Sequence, residues 1–132
     1  MKFVLGLLLL PGLWACSKDE NNNQSTPDNI SVITINTPVA GFTYLNGGTM
    51  RMEGEINDGD KVATARVQVR NKITNALYFE QSSAAGNITR YFFLWDWNIT
   101  GITSPVTATV VVTSKDARGY EISKTVDVNI NP

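Results

Sequence analysis

The chain contains no histidine and only one cysteine, Cys16, among its 132 residues. Without an imidazole, Ser-His-Asp and Cys-His catalysis are excluded in their usual forms, as are transition-metal sites that need a histidine ligand. One cysteine cannot close an intrachain disulfide, so an extracytoplasmic domain of this sequence must be held together by packing. Charged residues make up only 17% of the chain and nearly cancel, to a net charge of −1. No basic patch marks a nucleic-acid partner. No apolar run approaches the ~20 residues that a membrane-crossing helix requires, and no helical periodicity of any length appears. The carboxylates fall on strand faces or in turns with nothing to converge them in a cleft, so paired-acid hydrolysis is not indicated and the chain reads as non-catalytic.

The first fifteen residues carry Lys2, the apolar run Phe3 to Leu10, a break at Pro11-Gly12, and then Leu13-Trp14-Ala15-Cys16. A basic start, a short apolar stretch and a small residue before the cleavage point read as a signal peptide over residues 1–15. Leu13, Ala15 and Cys16 resemble the bacterial lipobox, with Trp14 in place of its usual small or β-branched residue. That resemblance implies acylation of Cys16, removal of the preceding peptide and attachment to a membrane through lipid. Residues 16–29 follow as a polar, Pro-containing tether with no apolar periodicity; fully extended, the stretch after Cys16 reaches at most ~45 Å. Its Lys18-Asp19-Glu20 is similar to the export signal of Bacteroidota surface lipoproteins. The implied location is the outer membrane facing outward, with the periplasmic face as the alternative.

Residues 30–132 are patterned for strands. Val106, Ala108, Val110 and Val112 alternate with Thr107, Thr109, Val111 and Thr113, the period of two that a half-buried strand needs. Tyr120, Ile122, Val126, Val128 and Ile130 repeat the pattern, with Lys124 as the one discord in the inward register. Met50, Met52, Gly54 and Ile56 define another strand, and Ala63, Ala65, Val67 and Val69 a further one. Between these two, Asn57-Asp58-Gly59-Asp60 reads as a turn. Asn71 to Asn75 connects to a short strand over Leu77 to Gln81, and Ser82 to Asn87 reads as the longest loop. Lys115 to Gly119 reads as a hairpin turn with Gly119 left-handed. Ile30 and Val32 lie on one parity and Ile33 and Ile35 on the other, which indicates a bulge or a strand that switches sheets before Thr37-Pro38.

About seven short strands at fairly even spacing predict an all-β antiparallel sandwich with Greek-key connections. The run Ile35 to Tyr44, followed by Gly48, Met50, Gly54 and Asp58, resembles the opening of bacterial Ig-like domains, and Val110 to Tyr120 resembles their final hairpin. The resemblance implies an Ig-like fold used for adhesion, spacing or glycan binding rather than for a reaction.

Two constellations could carry a ligand. Glu55, Asp58, Asp60 and Asp116 fall in segments that could share one end of a sandwich, and calcium takes hard oxygens of this kind. No spaced D-x-D-x-D series accompanies them, so turn chemistry is the preferred reading and no cofactor is expected. Tyr91 to Ile99 is the densest aromatic stretch: Tyr91, Phe93, Trp95, Trp97 and Ile99 share one face of a strand, and Phe92, Leu94, Asp96 and Asn98 the other. If the odd face is core, Phe92 and Leu94 stay partly exposed. If a bulge redirects the strand, Tyr91, Trp95, Asp96 and Trp97 form a platform suited to a sugar ring. The sequence therefore supports a lipid-anchored structural or protein-interaction module, with a carbohydrate-binding lipoprotein as the alternative.

Overall fold

A computed structural model describes residues 31–132, which form six strands and no helix. The strands are β1 (Val32–Thr37), β2 (Thr43–Leu45), β3 (Thr49–Asn71), β4 (Leu77–Asn98), β5 (Val106–Asp116) and β6 (Glu121–Asn131). They join into one sheet in the order β1-β3-β5-β6-β2, with β4 on the other side of β3. All pairs are antiparallel except β2 with β6.

The architecture depends on the two long strands. The first half of β3 pairs with β1 through Ile33↔Ile56 and Ile35↔Gly54, and its second half pairs with β5 through Val67↔Val112. Strand β4 accompanies β3 through both halves. Between Asn57 and Val62 the register breaks, and Lys61 adopts φ 75°. The sheet curls over there, so that β1 and the adjoining halves of β3 and β4 face the remaining strands across a common core. The two halves of β4 meet inside: the Trp97 ring lies 6.1 Å from that of Tyr78 and 6.0 Å from that of Phe79. Trp95 Nε1 donates to Ser83 Oγ at 3.2 Å.

The period-two residues fill this core. Met50, Met52, Ile56, Val67, Val69, Phe93, Val110, Val112, Val128 and Ile130 are fully buried. Burial of each large apolar side chain stabilises by about 1.5–3 kcal/mol. Every side chain of the core cluster lies between Ile33 and Ile130.

Several expectations are corrected. Asn57 to Asp60 does not reverse the chain, because Asp58 Oδ1 accepts from the Asp60 amide at 2.7 Å and bends the strand within an unbroken β3. Ser82 to Asn87 is not a free loop: Ser82, Ser83 and Ala84 pair with Arg66, Ala65 and Thr64, and the left-handed Gly86 and Asn87 carry β4 around the same bend. Six strands replace about seven, since two of them serve both layers. Tyr120 is 67% exposed instead of inward, with the Arg118 guanidinium 4.9 Å above its ring. Other expectations stand. Gly119 is left-handed with φ 98°, and Asn71 Oδ1 accepts from the amides of Ile73 and Thr74 to close the β3–β4 turn. The bulge indicated by the sequence parity does not lie at the inversion itself: Val32↔Asn57 and Ile33↔Ile56 keep one register, and the shift comes between Ile35 and Thr37, just before Pro38. Lys124 stands opposite buried Val112 yet is exposed, near the start of β6.

Candidate functional site

The aromatic strand settles into an unbroken alternation. From Asn57↔Arg90 to Thr49↔Asn98 the β3–β4 register has no shift, so the odd face is core throughout. Trp95 and Trp97 are 3% and 6% exposed. Phe93 stacks on Trp95 at 4.9 Å, and Trp97 is covered by Tyr78 and Phe79. Neither indole offers a sugar ring a free face, and Tyr91 is half-buried against the same core. Asp96 points outward on the opposite face, so Tyr91, Trp95, Asp96 and Trp97 are not brought together as a platform.

The outer face of the same stretch is open. Phe92 is 65% and Leu94 51% exposed, two residues apart on β4. Charges frame them. Arg51 holds Asp96 in a two-point contact, Nε to Oδ1 at 3.0 Å and Nη2 to Oδ2 at 3.2 Å. The hydrogen bonds from Arg51 hold the Asp96 carboxyl below its ordinary range. Arg90 donates to Glu55 Oε2 at 3.0 Å and lies 4.9 Å above the Phe92 ring. Hydrogen bonds from Asn57 and Arg90 likewise lower the Glu55 pKa. Glu55 is thus committed to this face and does not join the acidic cluster expected of it.

Asp58, Asp60 and Asp116 do come together at the bend, with carboxylate oxygens within 4.8 Å of one another. Asp58 is 2% and Asp116 4% exposed. Their oxygens are largely engaged. Ser31 Oγ donates to Asp58 Oδ2, and Asp116 Oδ1 accepts from the amides of Arg118 at 2.8 Å and Tyr120 at 3.0 Å. Burial raises the Asp116 pKa, but the backbone amides of Tyr120 and Arg118 and the Arg118 charge outweigh it, and the net shift is downward. Arg118 Nη2 lies 2.6 Å from Asp60 Oδ2 and 3.5 Å from Asp116 Oδ2. The Asp60 oxygen makes no aligned hydrogen bond, so that contact is one of charge rather than of a directed N–H. Arg118 therefore supplies a cation to the cluster from within the chain.

A third feature is a groove of about 470 Å³ beside the β3–β4 turn, lined by Asn71, Ile73, Thr107, Asn129 and their neighbours. Its amides are largely spent on the fold: Asn71 Nδ2 donates to Tyr78 Oη at 2.9 Å, and Asn129 Nδ2 donates to Gly41 O at 3.3 Å. Cys16 and the Lys18-Asp19-Glu20 cluster lie outside the described residues. Sequence reasoning did not single out Arg90, Arg51 or Arg118; strand parity places the first two beside Asp96 and Glu55 only once the register is known.

The curled all-β sheet, with two layers around one core, is an Ig-like sandwich module. No family model matches the chain, and no curated protein does. Among solved structures, the fibronectin(III)-like modules of Clostridium thermocellum CbhA superpose with a TM-score of 0.52 at 15% identity, over 76% of this chain and 46% of that one. The chain thus spans less than half the length of that structure. The CARDB domain of a Pyrococcus furiosus protein in complex with di-metal ions gives 0.49 at 15% identity, over 87% of this chain and 99% of that one. CopC from Methylosinus trichosporium gives 0.48 at 13% identity, over 78% and 95%. The similarity to the fibronectin(III)-like modules is one of fold.

Proposed function

We propose that this chain is a non-catalytic interaction module, an Ig-like domain held at the outer membrane by a lipid on Cys16 and presented outward on a short tether. The observation that carries the interaction role is the exposed Phe92-Leu94 pair on β4, flanked on the same face by the Arg90–Glu55 and Arg51–Asp96 ion pairs. Neighbouring exposed apolar side chains rimmed by polar groups are the surface pattern that marks interaction sites. The Leu13-Trp14-Ala15-Cys16 pattern supports the anchor, and Lys18-Asp19-Glu20 supports surface display.

A photo-crosslinking residue placed at 92 in cells tests the reading. An adduct from position 92, but none from Thr125 on the other layer, is the expected result; adducts from neither would remove the interaction role. The anchor is tested separately, by metabolic labelling with a fatty acid in the wild type and in Cys16→Ser. Label retained by the serine variant would overturn it. Burial of both indoles removes the observation that favoured a sugar platform at Trp95 and Trp97.

A further inference from the structure

The open edge of β4 is complementary to itself. Among the described residues β4 pairs only with β3, which leaves its far edge with unpaired amides. Ile99 N donates to Gly48 O on the β3 side. By the two-residue alternation of an antiparallel ladder, odd residues from 91 to 99 point their amide groups at β3, and the even residues 90 to 98 point theirs at the free edge. The side chains of those even residues occupy the exposed face. In order they read Arg90, Phe92, Leu94, Asp96: plus, apolar, apolar, minus.

We propose that two copies of the domain associate edge to edge through β4, antiparallel about a two-fold axis at Phe93. In that register Arg90 stands opposite Asp96 of the second copy, Phe92 opposite Leu94, and each relation is repeated by symmetry. The opposed even residues are those with free N–H and C=O groups, so they form the hydrogen-bonded pairs of the new ladder. The intrachain ion pairs extend into it. Glu55 backs Arg90 and Arg51 backs Asp96, so signs alternate along the row Glu55, Arg90, Asp96 of the second copy, Arg51 of the second copy.

The register is selective. Moving the axis to Phe92 sets Arg90 against Leu94, and moving it to Leu94 sets Phe92 against Asp96. An odd step between strands would oppose outward and inward side chains. Only the axis at Phe93 matches charge with charge and apolar with apolar. The edge also lacks the features that keep strands from pairing: residues 90–98 contain no proline and no lysine. By contrast β1 ends at Thr37, directly before Pro38, and β2 is three residues long.

Sedimentation equilibrium on residues 25–132, which contain the whole closed core, tests the pairing. The wild type is expected to dimerise. Arg90→Asp alone and Asp96→Arg alone each replace two opposite-charge contacts with two like-charge ones and should raise the dissociation constant by on the order of a hundredfold. Mixed in equal amounts, the two variants regain both opposite-charge contacts. The two substituted side chains face each other at one end of the ladder, and the native Asp96 of one copy faces the native Arg90 of the other at the opposite end. The heterodimer should be as tight as the wild type. A wild type that stays monomeric at about 1 mM, or folded variants that fail to associate on mixing, would overturn the proposal. Should either reversal unfold the domain, Arg90→Gln and Asp96→Asn replace it, with a loss of about tenfold for each and a partial recovery on mixing, because the native Asp96 of one copy then faces the native Arg90 of the other at one end of the ladder. The photo-crosslink at position 92 keeps this apart from the broader reading: an adduct of twice the chain mass marks self-pairing, whereas an adduct with a different protein sustains the interaction role and overturns the dimer.

Discussion

Gly54→Ala should be among the most damaging single changes in this domain, although it adds only a methyl group. Gly54 lies in the first half of β3 between Ile35 on β1 and Phe93 on β4. A Cβ there would come 1.9 Å from the Thr34 carbonyl oxygen and 2.7 Å from Phe93 Cζ. The first contact is with backbone, so no rotamer change relieves it and β1 must shift or detach. Detachment would expose Ile33, now 4% exposed, and the half-buried Ile35. At about 1.5–3 kcal/mol for a fully buried side chain, with ladder hydrogen bonds lost besides, the cost is roughly 3–5 kcal/mol. A domain of this size has about 5–15 kcal/mol in all.

Urea unfolding and a thermal melt of residues 25–132 measure that cost, and Tm should fall by roughly 12 °C or more. Gly47→Ala is the matched control. Gly47 has φ 92° and nothing within 4 Å of a built Cβ, so its cost is left-handed strain of about 1–2 kcal/mol. A Phe93→Leu background removes the aromatic contact but not the carbonyl, and should leave Gly54→Ala nearly as unstable. A Gly54→Ala variant no worse than Gly47→Ala would show that β1 does not pack against β3 as described. Rescue by Phe93→Leu would show instead that the ring, not β1, sets the limit.

Trp97→Ala should cost about 3–5 kcal/mol of stability, since it empties a space enclosed by Tyr78 and Phe79; acrylamide should quench Trp95 and Trp97 weakly in residues 25–132, and strong quenching would contradict their burial. Asp116→Ala should cost about 3 kcal/mol, because two amides and the Arg118 charge lose a buried acceptor. Asp116, Asp127, Asp96 and Glu55 all have folded-state pKa values below their ordinary range, so their stabilisation is present above the unfolded values near 4 and is lost as pH falls through the lower folded values. Denaturant midpoints should therefore hold from neutral pH to about 5 and then decline, with a shallower decline in Asp116→Asn; a midpoint that rose on acidification would contradict the sign. Millimolar calcium and chelator should leave the melt unchanged, since Arg118 already faces Asp60 and Asp116; a rise in Tm with calcium would show that the guanidinium yields its place.

The core of this domain was legible because strand side chains obey a strict period: Met50, Met52, Val67, Val69, Ala108, Val110 and Val112 are all buried as the alternation requires. The bend was not, because Asn57-Asp58-Gly59-Asp60 has the composition of a reversing turn, and only the contacts of Asp58 distinguish a curl in a continuing strand from a hairpin. Ser82 to Asn87 misled in the same way. Its small polar residues signal a loop in isolation, but β3 supplies the pairing partner that holds them extended. Tyr120 kept strand parity in the sequence yet lies on the turn side of β6, where Arg118 covers its ring. The acidic cluster was visible as residue types, but the counter-ion was not, since Arg118 meets Asp60 only after the bend and the β5–β6 hairpin converge.

The misread bend also creates the surface on which the functional reading rests. Had Asn57 to Asp60 and Ser82 to Asn87 been turns, β3 and β4 would each have been two short strands. Each half of β4 could then have been placed and covered independently. Because both strands run through the curl, the aromatic half of β4 is held in one register against β3 over nine residue pairs, from Asn57↔Arg90 to Thr49↔Asn98. That fixed register sends Trp95 and Trp97 inward and, by the same alternation, fixes Arg90, Phe92, Leu94 and Asp96 outward along the free edge. Core and edge are specified by one sequence read at two parities. A one-residue slip would expose the indoles and bury the charges together, so stabilising the aromatic core also presents the edge in a single, self-complementary order.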